Sequence, residues 1–243
     1  MRMRKKRNGQ KRLRMLSSII FTDPASLSDP ASVFENDFPL RLEIGCGKGD
    51  FICGISEREP LYNYIAMEKV DDVIVIAAEK YARVRGLGTL APNGGFITSD
   101  GTLYRDENCP VFTPAEAGNV RFLAADASVL ATSFPSGVFD RIYANFSDPW
   151  TKKGYASRRL THAGFLASYE RLLRPGGTFA FKTDNDDLFE FSLESVKSSP
   201  LSLEYVTCDL HASDKNGENV MTEYERNFTE QGIPIKYLEA VKK

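Results

Sequence analysis

The sequence is short of histidine, with two residues in 243, and of cysteine, with four. Cys46, Cys53, Cys109 and Cys208 form no C-x-x-C pair and have no histidine cluster near them. Neither a metal site nor a disulfide framework is therefore expected. The chain also lacks a long apolar run. Nothing approaches the roughly 18 residues that a membrane span requires. The basic opening "MRMRKKRNGQKRLRML" is followed by no h-region of signal-peptide length, so we expect a cytoplasmic protein with reduced thiols and no membrane contact. There is no internal repeat. At 42% hydrophobic and 26% charged residues, the composition is that of a globular protein long enough for one large core.

Net charge is only −2, from 31 basic and 33 acidic residues, but its distribution is uneven. Arg2, Arg4, Lys5, Lys6, Arg7, Lys11, Arg12 and Arg14 run without an intervening acid. Lys152, Lys153, Arg158 and Arg159 form a second basic patch. Two such patches in an otherwise acidic protein suggest a localised polyanionic partner. The alternative is a solvated tail and a solvated helix end.

Residues 1–40 read as a basic arm and an irregular linker, the latter from "DPASLSDPAS". Residues 41–243 read as one domain. Its apolar runs predict strands at "LRLEIGCG", "YNYIAMEK", "NVRFLAADA", "FDRIYANF", "TFAFKTDN" and "LSLEYVTCDL", with "PIKYLEAV" as a last, edge strand. Helical spacing appears in "DFICGISERE", "VDDVIVIAAEKYARV", "THAGFLASYERLL", with Thr161 as N-cap, and "DLFEFSLESVKS". Such alternation predicts an α/β fold: a mostly parallel sheet with helices on both faces and a mixed-direction C-terminal end. Segment 86–118, rich in Gly and Pro, reads as an insertion with a small hairpin across Ser99-Asp100-Gly101.

Chemistry concentrates where strands end. "EIGCGKGDF" sets Gly45, Gly47 and Gly49 between a strand and a helix, where a ligand can approach the backbone closely. The spacing is not the dinucleotide fingerprint, and Glu43 beside it would repel a diphosphate. A sulfonium or ammonium suits the site, which points to S-adenosylmethionine. Glu68 ends the second strand, placed for ribose hydroxyls, and Asp126 ends the third, placed for the adenine edge. The fourth strand delivers "NFSDPWTKKG", an acid followed by proline and an aromatic. Several amino-methylating enzymes place such a motif against their target base.

"EIGCGKG", "NFSDPWTKK", "RRLTH", "FKTDN" with "LFEFSL", and "MTEYERNFTEQGIPI" occur in this order. Together they closely resemble the bacterial tRNA (guanine-N7-)-methyltransferases from Leu40 to the C-terminus, segment 86–118 excepted. The resemblance implies a Rossmann-like class I S-adenosylmethionine-dependent methyltransferase fold with a seven-stranded sheet whose last strand is reversed. It implies a cofactor site at Glu43, Gly45, Gly47, Gly49, Glu68, Lys69, Asp126, Ala127, Asn145 and Asp148, with Asp148 catalytic. It places substrate at Lys152, Asp184, Thr222, Glu223, Tyr224 and Glu225. It places tRNA along Lys153, Gly154, Tyr155, Ala156, Ser157, Arg158 and Arg159. No metal is implied, and monomer and homodimer stay open. The chain departs from the family in Thr151, where a second proline is usual, and in the length of segment 86–118. Two other readings remain at this point: an amino-group methyltransferase on another nucleic acid or protein, and a non-enzymatic RNA-binding protein. Trp150 is read as either a base-stacking or a structural residue, Phe146 and Phe181 as core. His162 is read as a helix-start residue and His211 as a loop residue.

Overall fold

A computed structural model describes residues 9–91, 95–105, 111–113 and 115–243. Arg2, Arg4, Lys5, Lys6, Arg7, Cys109 and parts of segment 86–118 lie outside the described residues. In chain order the elements are α1 (Gly9–Met15), β1 (Ile20–Phe21), β2 (Leu40–Ile44), α2 (Asp50–Arg58), β3 (Asn63–Glu68), α3 (Asp71–Val84), β4 (Gly88–Leu90), β5 (Phe96–Thr98), β6 (Leu103–Tyr104) and β7 (Val120–Ala124). There follow β8 (Phe139–Asn145), α4 (Ala163–Leu172), β9 (Leu173–Thr183), α5 (Asp186–Lys197), β10 (Ser202–Thr207), α6 (Glu223–Glu230) and β11 (Lys236–Val241). The chain forms two compact units, one of residues 1–38 with 46–126 and one of residues 39–45 with 127–243.

In the first unit β1, β7 and β3 run parallel, with Phe122 of β7 opposite both Ile20 and Ala66. These strands are buried runs, as parallel strands covered on both faces must be. Residues 9–21 belong to this unit and are not an arm. Leu13, Met15, Leu16, Ile19 and Ile20 are buried, and Arg12 pairs with Glu79 of α3. The charges on α1 mask its apolar side in the sequence. The linker 22–38 contains two 3-10 turns, over Pro24–Leu27 and Pro30–Val33, each opened by a proline after an aspartate. Within segment 86–118, β4, β5 and β6 form an antiparallel three-stranded sheet. Its β5–β6 turn is the predicted hairpin: the Gly101 amide donates to the Thr98 carbonyl at 2.9 Å, and Gly101 has φ 87°.

In the second unit β2, β8 and β9 are parallel, and β11 runs antiparallel between β9 and β10. Hence β10 is at the edge and β11 is internal, a correction to the expected order. The two charges in "IKYLEAV" suggested an edge, but both are neutralised in place. Lys236 pairs with Asp186 at 2.7 Å, and Glu239 with Arg141 and Lys215. Across the two units, eight strands outside the small antiparallel sheet are found among the described residues, β1 being additional to the expected seven. Thr161 is not an N-cap. It is fully buried and its hydroxyl accepts from Ser192 at 2.7 Å, while His162 caps α4 by accepting from the Gly164 amide. Phe181 is core, whereas Phe146 is only half-buried.

Candidate active site

In the first unit, the chain leaves Gly45 and enters α2 through a loop of left-handed glycines, with φ 53° at Gly47 and 84° at Gly49. A methyl on Gly49 would stand 2.9 Å from the Ala77 side chain, so this glycine also lets α2 and α3 approach. Gly86 shares the left-handed φ, at 67°, but opens onto free space. Gly49→Ala is therefore expected to cost roughly 2 kcal/mol more than Gly86→Ala, the overpacking part of the penalty, measured by denaturant unfolding. At Gly47 a methyl would meet nothing within 4 Å, which leaves this side of the loop open. Glu68, half-buried at the end of β3, accepts from the Gly47 amide at 3.3 Å and the Val70 amide at 3.0 Å. Those two bonds fix the carboxylate yet leave acceptor sites on each oxygen. Lys69 and Asp126 are exposed, and at the start of the second unit's long stretch Ala127 opens a 3-10 turn to Ala131.

In the second unit, Gly45 follows β2 with φ 76° and open space at its α-carbon. Glu43, within β2, is 2% exposed and accepts from Asn145 at the end of β8, at 3.3 Å. Beyond Asn145 the backbone is unusual. Phe146 has φ 51° and Trp150 φ 42°, the two non-glycine residues with positive φ among the described residues. Each costs on the order of 1–3 kcal/mol and persists only when its surroundings hold it. Between them lies Asp148, exposed, with its carboxylate taken up by no described residue. The neighbouring Ser147 hydroxyl is buried without a hydrogen-bond partner among the described residues.

Behind the Phe146 end of this loop sits a buried charge cluster. Lys182 of β9 and Glu225 of α6 are 2% and 0% exposed in their side chains and pair at 2.5 Å. Lys182 also donates to Asn219 Oδ1 and the Val220 carbonyl, each at 2.9 Å, and its ammonium lies 5.7 Å from the Phe146 ring centre. Glu225 further accepts from Asn219 and contacts His211 Nε2 at 2.8 Å. Burial pushes the Glu225 carboxyl up, but the Lys182 charge and the hydrogen bonds from Lys182, His211 and Asn219 outweigh it and hold its pKa below the usual carboxylate range. Thr222 and Glu225 form a reciprocal capping box on α6, the Thr222 hydroxyl accepting from the Glu225 amide at 3.0 Å. The carboxylate of Glu225 is thus held inside the protein by Lys182, His211 and Asn219. Glu223 and Tyr224 stand exposed beside it, and Asp184 is half-exposed with no described residue on its carboxylate. Lys182 and Asn219 were not singled out in the sequence, and His211 was read only as a loop residue. The T-x-x-E spacing of a capping box was legible there and points to the α6 start.

The basic patch divides in two. Lys152, Lys153 and Arg158 are exposed around a 3-10 turn over Lys153–Arg158 that carries Gly154, Tyr155, Ala156 and Ser157. The Arg158 guanidinium lies 4.9 Å from the Trp150 ring and 4.6 Å from the Tyr155 ring. Trp150 is therefore neither a core residue nor a bare face. Arg159 points inward: its Nε donates to the Pro149 carbonyl at 2.9 Å and a terminal nitrogen to the Trp150 carbonyl at 3.3 Å.

Comparison with known proteins decides the family. Residues 37–238 match a family model described as "Putative methyltransferase". A tRNA (guanine-N(7)-)-methyltransferase of Bacillus licheniformis is 40% identical over 99% of this chain and 98% of its own. Proteins of the same name from Listeria innocua (99% and 98% covered) and Bacillus subtilis (97% and 96%) are 38% and 39% identical. The chain belongs to this family. Among solved structures, a 16S rRNA methyltransferase, KamB, aligns with TM-score 0.56 at 13% identity, covering 92% of this chain and 95% of its own. An antibiotic-related methyltransferase aligns with TM-score 0.55 at 14% identity, covering 93% and 97%. At that identity the likeness shows the fold, that of the class I methyltransferases.

No helix among the described residues is long and apolar enough to cross a membrane, and none of their His, Cys, Asp or Glu side chains group as a metal site.

Proposed function

We propose that the protein transfers the methyl group of S-adenosylmethionine to N7 of a guanine in tRNA. Near-full-length identity to enzymes of that name supports the reaction. The observation that carries the site is Asp148: an exposed carboxylate, unclaimed by any described residue, on a loop held in a strained backbone between Phe146 and Trp150. Such strain is kept where a group must be pre-positioned.

The residues present fit S-adenosylmethionine. Left-handed glycines with open space above them admit a ligand to the backbone, and Glu68 is fixed with acceptor sites to spare for ribose hydroxyls. Glu43 and Asp126 add negative charge, which suits a cation and opposes a diphosphate. Gly45, Gly47, Gly49, Glu43, Glu68, Lys69, Asp126, Ala127 and Asn145 would hold it, and it would supply the methyl group as an electrophilic sulfonium.

Guanine N7 carries a free lone pair, so the chain need not remove a proton before attack. Its work is alignment and electrostatics. Asp148 accepts from the guanine N1–H and amino edge and stabilises the positive charge that develops on the purine. An anionic acceptor there selects guanine over adenine, which offers an acceptor at N1. Asp184, Glu223, Tyr224 and Thr222 border the base, and Lys152 orients it. Lys153, Arg158 and the turn Gly154–Ser157 hold the RNA backbone, with the target base extruded from its stack.

Two outcomes are expected. A tRNA transcript with 7-deazaguanine in place of guanine should accept no methyl group above background, and continued transfer would refute the N7 assignment. Arg158→Ala should weaken tRNA binding and flatten the dependence of log affinity on log salt by about 0.7–0.9, the value of one phosphate contact.

A further inference from the structure

We infer that Arg159 is a positioning residue for methyl transfer and not a phosphate contact: its guanidinium clamps the Asp148 loop. The inference rests on the reading of Asp148 as catalytic.

Two consecutive carbonyls, those of Pro149 and Trp150, converge on this one guanidinium at 2.9 and 3.3 Å. In extended backbone, successive carbonyls point to opposite sides. Here the left-handed conformation of Trp150, φ 42°, breaks that alternation. The clamp and the strained residue are therefore one device, each explaining the other. Arg159 is itself anchored. Its amide donates to the Ala156 carbonyl at 3.1 Å, closing the 3-10 turn, and its guanidinium lies 4.4 Å from the Phe191 ring centre on α5.

The other end of the loop has a separate anchor. The Phe146 amide donates to the Lys182 carbonyl at 2.9 Å, and the Phe146 ring stacks on Phe228 with centres 6.3 Å apart. Asp148 hangs between the two anchors and, with no described partner for its carboxylate, takes its position from the backbone alone. Loosening one anchor moves the carboxylate without removing it. A misplacement of about 1 Å at a reacting centre can cost on the order of 10²-fold in rate.

The planar guanidinium fork can meet both carbonyls at once. A lysine ammonium on a flexible stem does not reproduce that fork. Arg158, its neighbour, shows the opposite arrangement, exposed and set against the Trp150 and Tyr155 rings. Two adjacent arginines thus divide into one for the RNA and one for the loop.

The test compares Arg159→Ala, Arg159→Lys and Asp148→Asn in the full chain. Turnover is measured at saturating tRNA and S-adenosylmethionine, tRNA affinity across a salt series, and folding by thermal unfolding. Both Arg159 variants are expected to lower kcat about 10- to 100-fold, with tRNA affinity within about twofold and an unchanged salt slope. Should Arg159→Ala unfold, the same readings are taken on Arg159→Lys, which keeps the charge and the aliphatic stem. Unchanged kcat with weaker binding and a salt slope flatter by about 0.7–0.9 would overturn the inference and restore Arg159 to the phosphate surface. An inactive Asp148→Asn beside a fully active Arg159→Lys would likewise overturn the inference while sparing the Asp148 reading. Wild-type turnover in Asp148→Asn would overturn that reading itself.

Discussion

Replacing Asp148 by alanine is expected to lower methyl transfer at saturating tRNA by on the order of 10²-fold or more. The magnitude follows from the role proposed for the carboxylate at the peak of the barrier. Charge leaves the sulfonium and appears on the purine, and a fixed anion beside the ring stabilises the second state more than the first. Only an interaction stronger in the transition state raises kcat. Asp148 is exposed and bonded to no described residue, so its removal leaves no buried partner unsatisfied. Its thermal midpoint should therefore stay close to wild type. Turnover measured with labelled S-adenosylmethionine checks the claim, and near-normal turnover of a folded Asp148→Ala would refute it.

The second large effect is on stability. Lys182→Met is expected to destabilise the protein by about 3–5 kcal/mol, because it strands the Glu225 carboxylate inside the protein without its cation. Both side chains are essentially buried, at 2% and 0% exposure, so solvent cannot take over the lost interaction. For a protein of this size that corresponds to a fall in Tm of roughly 6–20 °C, at about 2–4 °C per kcal/mol. Combining Lys182→Met with Glu225→Gln should recover much of the loss, since the orphaned charge is then gone. A double variant no more stable than Lys182→Met would contradict the account. The same pair sets an acid limit. Because the folded-state pKa of Glu225 is depressed, its contribution is complete above the ordinary carboxylate pKa and is lost as pH falls through the folded value. Lys182→Met with Glu225→Gln should accordingly show a flatter decline of stability in acid, measured by unfolding across a pH series.

How much of this was legible in the sequence differs from element to element. The strand–glycine–helix passage at Glu43–Phe51 was legible because backbone chirality and hydrophobic pattern agree there. The parallel run of β2, β8 and β9 follows from the alternation of strand and helix, whereas that β8 lies beside β2 does not. By contrast α1 and β1 were hidden, since their burial depends on a surface formed by α3 and β7, far along the chain. The internal place of β11 was hidden by charges whose partners, Asp186, Arg141 and Lys215, come from other elements. In the site, Asp148 stands out because acid, proline and tryptophan together are rare. The direction of a long side chain cannot be read from a one-dimensional pattern, so Arg158 and Arg159 looked alike in sequence and differ in space. The buried partners of Glu225 were hidden for the same reason, although the capping-box spacing from Thr222 already tied it to a helix start.

The most direct test of the account is the identity of the product. The full-length protein is incubated with bulk tRNA and labelled S-adenosylmethionine, the RNA is digested to nucleosides, and the labelled nucleoside is identified. We predict 7-methylguanosine, made by wild type and reduced on the order of 10²-fold or more in rate by Asp148→Ala. Label in any other nucleoside, or none in tRNA, would contradict it.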